Sequence, residues 1–320
     1  MLDSILVPLD GSLLAECVLP HVVAVAHAFD AKVVLMRVVG QNRARGTTRS
    51  VDPLNWQINK TETNVYLKKI DALLQQANVH TETATGEGQA ADLISDFAEA
   101  EGINLIILST HGRSGLSQWG MSSVVQRIIS SAPTSLLIVR ANEADSGTLT
   151  EHHYQRILVP LDGSWRAEHV LPIVILLARF HQSQIHLVHV VKKPEMARHM
   201  PPTQEDIELS DRIVARNQEE IAHYFALMQM RSPQEGVDVQ THVLISEDVA
   251  AALHDFVERE HIDLIALSAH GYSGNSQWPY GSIANNFIAY SKVPLLLSQD
   301  LHRQTRSSSM DAAVRQHTEH

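Results

Sequence analysis

The sequence predicts an α/β protein built from two tandem doubly wound domains, each with a five-stranded parallel sheet flanked by helices. Three observations carry this. Residues 5–12, ILVPLDGS, return unchanged at 157–164, an offset of 152. Residues 103–112, INLIILSTHG, return as IDLIALSAHG at 262–271, an offset of 159. Offsets that differ by 7 describe one unit written twice, with a slightly longer loop in the second copy. Within each unit, short apolar runs alternate with segments of helical period, the pattern of a parallel sheet with right-handed crossover helices.

The elements of the first copy follow in order. Ser4–Pro8 is apolar without alternation, as in a strand covered on both faces. Residues 12–28 are rich in Ala, Val and Leu and predict a helix, kinked at Pro20. Residues 32–38 read as the second strand. Residues 59–77 form a helix with Tyr66, Ile70, Leu73, Leu74 and Ala77 on one face. Residues 80–85 give a third strand. In the helix over 89–101, Leu93, Ile94 and Phe97 face inward and Asp92, Asp96 and Glu99 outward. A strand at 104–109, a helix at 121–131 and a strand at Ser135–Val139 complete the unit. The second copy places strands near 156–160, 184–190, 239–245, 263–268 and 294–298. Its helices fall near 164–181, with Pro172 at the matching kink, and near 205–230, 247–261 and 281–291. The domains are 1–141 and 155–300, joined by a linker at 142–154. The polar segment 301–320 is expected to be a disordered tail.

Composition narrows the function. The 320 residues suit two domains of about 150, and 44% hydrophobic residues fill two cores. A formal net charge of -11 argues against nucleic acid or an acidic membrane surface as partner. The single cysteine, Cys17, excludes an intrachain disulfide and fits a reducing cytosol. It reads as a small core residue in an apolar helix, with a redox thiol as the other reading. No basic leader and no membrane-spanning apolar run are seen, so a cytoplasmic location is expected. The 19 histidines lack HxxxH spacing and cysteine partners, and no metal site is expected. His186 and His189, three apart in a strand, should face opposite sides.

In doubly wound sheets, ligands bind beyond the carboxyl ends of the strands where strand order reverses. That selects the loops after the first and fourth strands, which are also the two segments the repeat preserves best. The loop after strand four is rich in Gly and Ser and opens a helix at Ser122-Ser123 in one copy and Gly281-Ser282 in the other. Unpaired N–H groups and the positive dipole end make such a helix start a phosphate seat. The alternative is a glycine-rich connector with a serine cap. Two other motifs are decoys. Gly86-Glu87-Gly88-Gln89-Ala90-Ala91 resembles a dinucleotide fingerprint but follows the third strand, and copy two lacks it. Gly112-Arg113-Ser114-Gly115 is one residue short of a hydrolase elbow. No Walker-type phosphate loop occurs.

The small-x-His-Gly stretch, the nine-residue spacer and the following Gly-Ser resemble the nucleotide-binding signature G-x-x-G-x9-G-[S/T] of universal stress proteins. Pro-x-Asp-Gly-Ser at 8–12 and 160–164 matches as well, and the resemblance runs through about 3–140 and 155–299. It implies strand order 3-2-1-4-5 and pairing of the copies through their last strands, along 136–139 and 295–297, with homodimers also open. It also implies a cytosolic ATP-binding stress-response sensor or regulator, ATP arriving with or without Mg2+, and a protein partner of unspecified kind. Carried over residue by residue, the nucleotide site of domain 2 comprises Pro160, Asp162, Val190, Ser268, His270, Gly271, Gly281, Ser282 and Ile283. That of domain 1 comprises Pro8, Asp10, Val38, Ser109, His111, Gly112, Ser123 and Val124. Two departures from the signature matter. Its first glycine is Ser109 or Ser268. Its Gly-Ser glycine, kept as Gly281, is Ser122 in domain 1, where a Cβ would crowd a phosphate or forbid a positive φ. Domain 2 is therefore expected to be the better site and domain 1 the degenerate one. Arg113, with Arg43, Arg45 and Arg49, reads first as part of a solvated loop, with compensating charge for domain 1 as the other reading, and Lys192, Lys193 and Arg198 in the matching loop of domain 2 read the same way. Trp119 and Trp278 match as packing anchors. Asp10 and Asp162 read as ligand-orienting or capping groups, and His111 and His270 as backbone-positioning groups, rather than as catalysts. The other functional readings are a slow ATPase or nucleotidyl-transfer enzyme and a scaffold that binds no nucleotide.

Overall fold

The computed structural model describes residues 2–39, 53–112, 121–132, 134–141, 149, 152–194, 203–272 and 279–299. Arg43, Arg45, Arg49, Arg113, Arg198, Trp119, Trp278, the tail 301–320 and most of 142–154 lie outside them. Domain 1 runs β1 (Ser4–Pro8), α1 (Leu13–Glu16), α2 (Leu19–Phe29), β2 (Lys32–Val39), α3 (Pro53–Gln76), β3 (Thr81–Glu87), α4 (Ala90–Ala100), β4 (Leu105–Ser109), α5 (Ser123–Ser131) and β5 (Ser135–Val139). Domain 2 begins with β6 (Arg156–Pro160), a 3-10 turn (Ala167–Val170), α6 (Leu171–His181), β7 (Gln184–Lys192) and α7 (Gln204–Glu235). It continues through β8 (Asp238–Ser246), α8 (Val249–Arg259), β9 (Leu264–Ser268), α9 (Ser282–Tyr290) and β10 (Leu295–Ser298).

All ten strands join one sheet in the order β3-β2-β1-β4-β5-β10-β9-β6-β7-β8. Each half is thus ordered 3-2-1-4-5. Neighbours within a half run parallel. The halves meet where β5 and β10 pair antiparallel, Leu137 opposite Leu296. Side chains alternate across the sheet with the strand period of two. Ile5, Val7, Val33, Leu35 and Ile107 pack in the layer that holds α2, α3 and α6, whereas Leu6, Val34, Met36 and Ile106 pack toward α4, α5, α8 and α9. Every residue of β4 and β9 is buried, while no residue of the outermost strands β3 and β8 is. Cys17 is buried in the first layer.

The helix expected over 12–28 is not one kinked helix. It is a short turn, α1, followed by a fresh start at α2, and the second copy repeats the break with a 3-10 turn before α6. Pro20 and Pro172 fall in the first turn of α2 and α6. There a missing N–H costs nothing, so the chain restarts rather than bends. Both helices end on a left-handed residue, Asp30 (φ 51°) and Gln182 (φ 57°). His186 and His189 do project to opposite sides. His186 Nδ1 lies 3.1 Å from His242 Nε2, beneath Phe256 of α8, and His189 Nδ1 donates to the Leu161 carbonyl at 2.7 Å.

Imidazoles also fill the seam between domains, where α2 packs on α6. His21 Nδ1 lies 2.9 Å from the buried Tyr154 hydroxyl, and its ring centroid is 4.2 Å from that of His152. His153 and His181 approach nitrogen to nitrogen at 3.3 Å. Burial, with a smaller effect of His152, pushes His21 down to about 3. The unfolded chain takes up this proton near pH 6.5 and the native chain does not, so its stabilising effect is full above pH 6.5 and is lost as pH falls toward 3. His21→Gln is expected to flatten the acid limb of stability by up to about 1.4 kcal/mol per pH unit between pH 6 and 4. Urea unfolding at a series of pH values measures this, and an unchanged slope would rule His21 out as its source.

Candidate functional site

Each site grows from the turn after the first strand of its half. Gly11 (φ 84°) and Gly163 (φ 81°) adopt the left-handed backbone this turn needs. The turn folds Asp10 onto its own loop: its Oδ1 accepts the Ser12 N–H at 2.9 Å and the Ser12 hydroxyl at 2.6 Å. Asp162 repeats this with Ser164 at 3.0 and 2.6 Å. The same serines cap the next turn, accepting from Ala15 N and Ala167 N at 3.2 Å each.

The second carboxylate oxygen faces the glycine loop after strand four. Tyr272 N–H donates to Asp162 Oδ2 at 2.6 Å. A Cβ on Gly112 or on Gly271 would overlap Asp10 or Asp162 Oδ2, so glycine is required there by close approach. Burial raises the Asp162 pKa, but the hydrogen bonds from Ser164 and Tyr272 outweigh it, and the carboxyl sits below its ordinary value. With donors on both oxygens, Asp162 works as a clamp that ties the first loop to the fourth, not as a proton acceptor.

The serines in place of the first signature glycine anchor the same loop. Ser109 Oγ lies 2.8 Å from the His111 carbonyl and 3.0 Å from that of Leu14, and Ser268 Oγ donates to the Ala167 carbonyl at 3.2 Å. His111 Nδ1 is 3.0 Å from Thr110 Oγ1, and His270 is buried.

The helix starts correct one expectation. Gly281 has φ -69° and ψ 170°, and Ser122 has φ -60° and ψ 149°. Both are extended caps, and neither needs glycine for its backbone. A Cβ on Gly281 would meet only the Ala269 carbonyl at 3.7 Å and His270 Cα at 3.9 Å, ordinary contacts. The difference between the copies lies in capping. Ser122 Oγ accepts the Val125 N–H at 3.3 Å, whereas Gly281 offers α9 no side-chain cap.

Both sets of sequence-derived residues come together. The nine of domain 2 line a cavity of about 220 Å³, and the eight of domain 1 line one of about 460 Å³. Each opens at the carboxyl ends of the first, second and fourth strands of its half. One wall is apolar, from Pro160, Val188, Val190, Val249 and Leu253 in domain 2 and from Pro8, Met36, Val38, Ala90 and Ile94 in domain 1. The rest of the lining is a glycine loop and a helix start. This suits a flat apolar group joined to an anion.

Several neighbours escaped the sequence reading. Behind each clamp a glutamate and a tyrosine recur, hydrogen-bonded in domain 2 but not in domain 1, where the Tyr66 hydroxyl is buried with no hydrogen-bond partner among the described residues. The Tyr224 hydroxyl donates to Glu168 Oε1 at 2.8 Å. In domain 1, burial and then the Glu16 carboxylate push the Tyr66 hydroxyl upward, and the Arg37 guanidinium lies 5.0 Å above the Tyr66 ring. The signal was available: Glu16 and Glu168, like Tyr66 and Tyr224, are spaced by the repeat. Arg37 and His189 hold the same strand position, after the paired residues Met36 and Val188.

Fold and site together define a two-domain doubly wound protein with a ligand-sized cleft at the switch point of each half. The universal stress protein family profile matches residues 1–140 and 153–299, and the chain belongs to that family. A universal stress protein of Methanocaldococcus jannaschii is 31% identical over 137 residues, 42% of this chain and 81% of that protein. A second one from the same organism is 24% identical over 155 residues, 44% of this chain and 96% of that protein. Among solved structures, a universal stress protein from Archaeoglobus fulgidus matches with TM-score 0.63 at 16% identity, covering 93% of this chain and 99% of that one. A protein of unknown function from Pseudomonas aeruginosa matches with TM-score 0.64 at 15% identity, covering 93% and 92%. These structural likenesses speak to the fold.

Proposed function

We propose that the chain is a cytoplasmic ATP-binding regulator of a stress response, with the domain 2 cleft its tighter nucleotide site. The carrying observation is the convergence, in both halves, of an apolar wall, a carboxylate-clamped glycine loop and a helix start. Adenine fits the first and phosphates the other two. Among the described residues no three His, Cys, Asp or Glu side chains form a metal-ligand set. Also among the described residues, no helix is long and apolar enough to cross a membrane.

The preference for domain 2 rests on the caps. α9 keeps its first N–H groups clear of any side chain from Gly281, while Ser122 takes up the Val125 N–H in α5. Gly281→Ser is expected to leave the fold intact and weaken ATP binding in domain 2 by about fivefold, the size of one net hydrogen bond. Ser122→Gly should strengthen domain 1 by a similar factor, at a cost of a few tenths of a kcal/mol in α5. Isothermal titration of both variants checks this; if neither changes affinity, the caps do not set the preference. The functional test is mass spectrometry of nucleotide released on denaturation. One ATP per chain supports the reading, and two would mean that both halves bind. Recovered ADP or AMP would favour a slow ATPase. No nucleotide, with no binding on titration with ATP and Mg2+, would favour a scaffold.

A further inference from the structure

The antiparallel seam carries a contact that runs one way. Arg140 follows β5 and reaches across to the last turn of α9. Its Nε donates to the Ser291 carbonyl at 2.6 Å, and its Nη2 to the Ile288 and Ala289 carbonyls at 2.8 and 2.9 Å. Those carbonyls have no partner inside the helix, so Arg140 is the C-terminal cap of α9, supplied by the other domain. Its cation also complements the negative end of the helix dipole. The opposite end of α9, at Gly281, Ser282 and Ile283, lines the domain 2 cleft. Position 299 in domain 2 corresponds to Arg140. It is glutamine, and its backbone N–H donates to Ser135 Oγ at 3.1 Å.

Arg140 is also tied to the domain 1 site. The next residue, Ala141, donates its N–H to Thr110 Oγ1 at 3.2 Å, and Thr110 N–H donates to the Val139 carbonyl at 2.9 Å. The fully buried Thr110 hydroxyl is in turn 3.0 Å from His111 Nδ1, on the wall of the domain 1 cleft. Domain 2 has Ala269 at the position of Thr110 and no hydroxyl for such a link.

We propose that the domain 2 site is completed from domain 1: Arg140 is a positioning residue that holds α9 against the sheet and fixes the helix start facing the domain 2 ligand. Anion affinity in domain 2 then depends on the β4–β5 corner of domain 1, and by linkage the dependence is mutual. The inference rests on the nucleotide reading of that cleft, but its first test does not need a ligand.

Amide hydrogen exchange is measured on the unliganded full chain, alone and with Arg140→Gln or Arg140→Lys. Asn285 N–H, bonded to the Gly281 carbonyl at 2.9 Å, reports the site end of α9. Gln126 N–H, bonded to the Ser122 carbonyl at 3.0 Å, is the control in α5. Arg140→Gln should speed exchange at Asn285 by about tenfold and leave Gln126 unchanged, with Arg140→Lys between. ATP titration, read against a Gly271→Ala chain whose added methyl overlaps Asp162 Oδ2 and which so reports domain 1 alone, should show domain 2 affinity falling by about tenfold in Arg140→Gln and partly rescued in Arg140→Lys. Unchanged exchange at Asn285 would overturn the proposal. Faster exchange with unaltered domain 2 affinity would overturn it too, leaving Arg140 a structural cap. If the unmutated chain binds no ATP, the nucleotide reading fails, and the exchange result alone decides whether Arg140 fixes α9.

Discussion

Gly271→Ala is expected to destabilise domain 2 by about 2–3 kcal/mol and to abolish ligand binding there. The added methyl has no room, because it would overlap the Asp162 oxygen that also receives the Tyr272 N–H. The cost is steric, since Gly271 is not in the left-handed region. Either the carboxylate or the loop must move, and both form the cleft. Removing the obstacle should reverse part of the penalty: Asp162→Ala with Gly271→Ala is expected to cost less than the sum of the two single changes. Gly102→Ala is the control. Nothing lies within 4 Å of its Cβ, and its φ of 60° leaves only a backbone cost of about 1 kcal/mol. Urea unfolding followed by circular dichroism gives all four values. Full additivity of the pair would show that the clamp is not what excludes a side chain at 271.

The second large effect belongs to the seam. Leu296 stands opposite Leu137 in the antiparallel pair, and both are almost wholly buried. Leu296→Asp is expected to cost more than about 4 kcal/mol, because it removes core volume and buries a carboxylate without a partner. Leu296→Ala should cost about 2–4 kcal/mol from the cavity alone. The aspartate variant should also split urea unfolding into two transitions as the halves lose their shared sheet. A single transition at the wild-type midpoint would mean that the seam adds nothing to the stability of the chain.

The strand order was legible through the family resemblance, and the lining of the two clefts through repetition, which selects what both copies keep. Pro8 to Ser12 and Ser109 to Gly112 recur as 160–164 and 268–271, and these segments meet at the cleft. Backbone conformation was less legible. A glycine in a signature suggests a positive φ, yet Gly281 sits at an extended cap where serine serves equally well, as Ser122 shows. A proline inside an apolar helical run suggests a kink, but whether it bends a helix or starts one depends on the turn before it. The seam between the last strands was expected from the resemblance, but individual long-range side-chain contacts were not legible. The fit of Gly112 to Asp10 and the reach of Arg140 to α9 join residues about a hundred or more apart in the chain, and no local pattern records them.

The antiparallel β5–β10 pair has a further consequence. In a dimer of identical chains an isologous interface is self-complementary, so every mutation strikes it twice and only changes acceptable on both sides survive. Covalent linkage removes that constraint. It also holds the partners at an effective concentration of order millimolar, so assembly does not depend on how much protein the cell makes. Each half was thereby free to drift on its own. Arg37 against His189, Ser122 against Gly281, and Arg140 against Gln299 are departures that a symmetric pair would have had to make in both subunits at once.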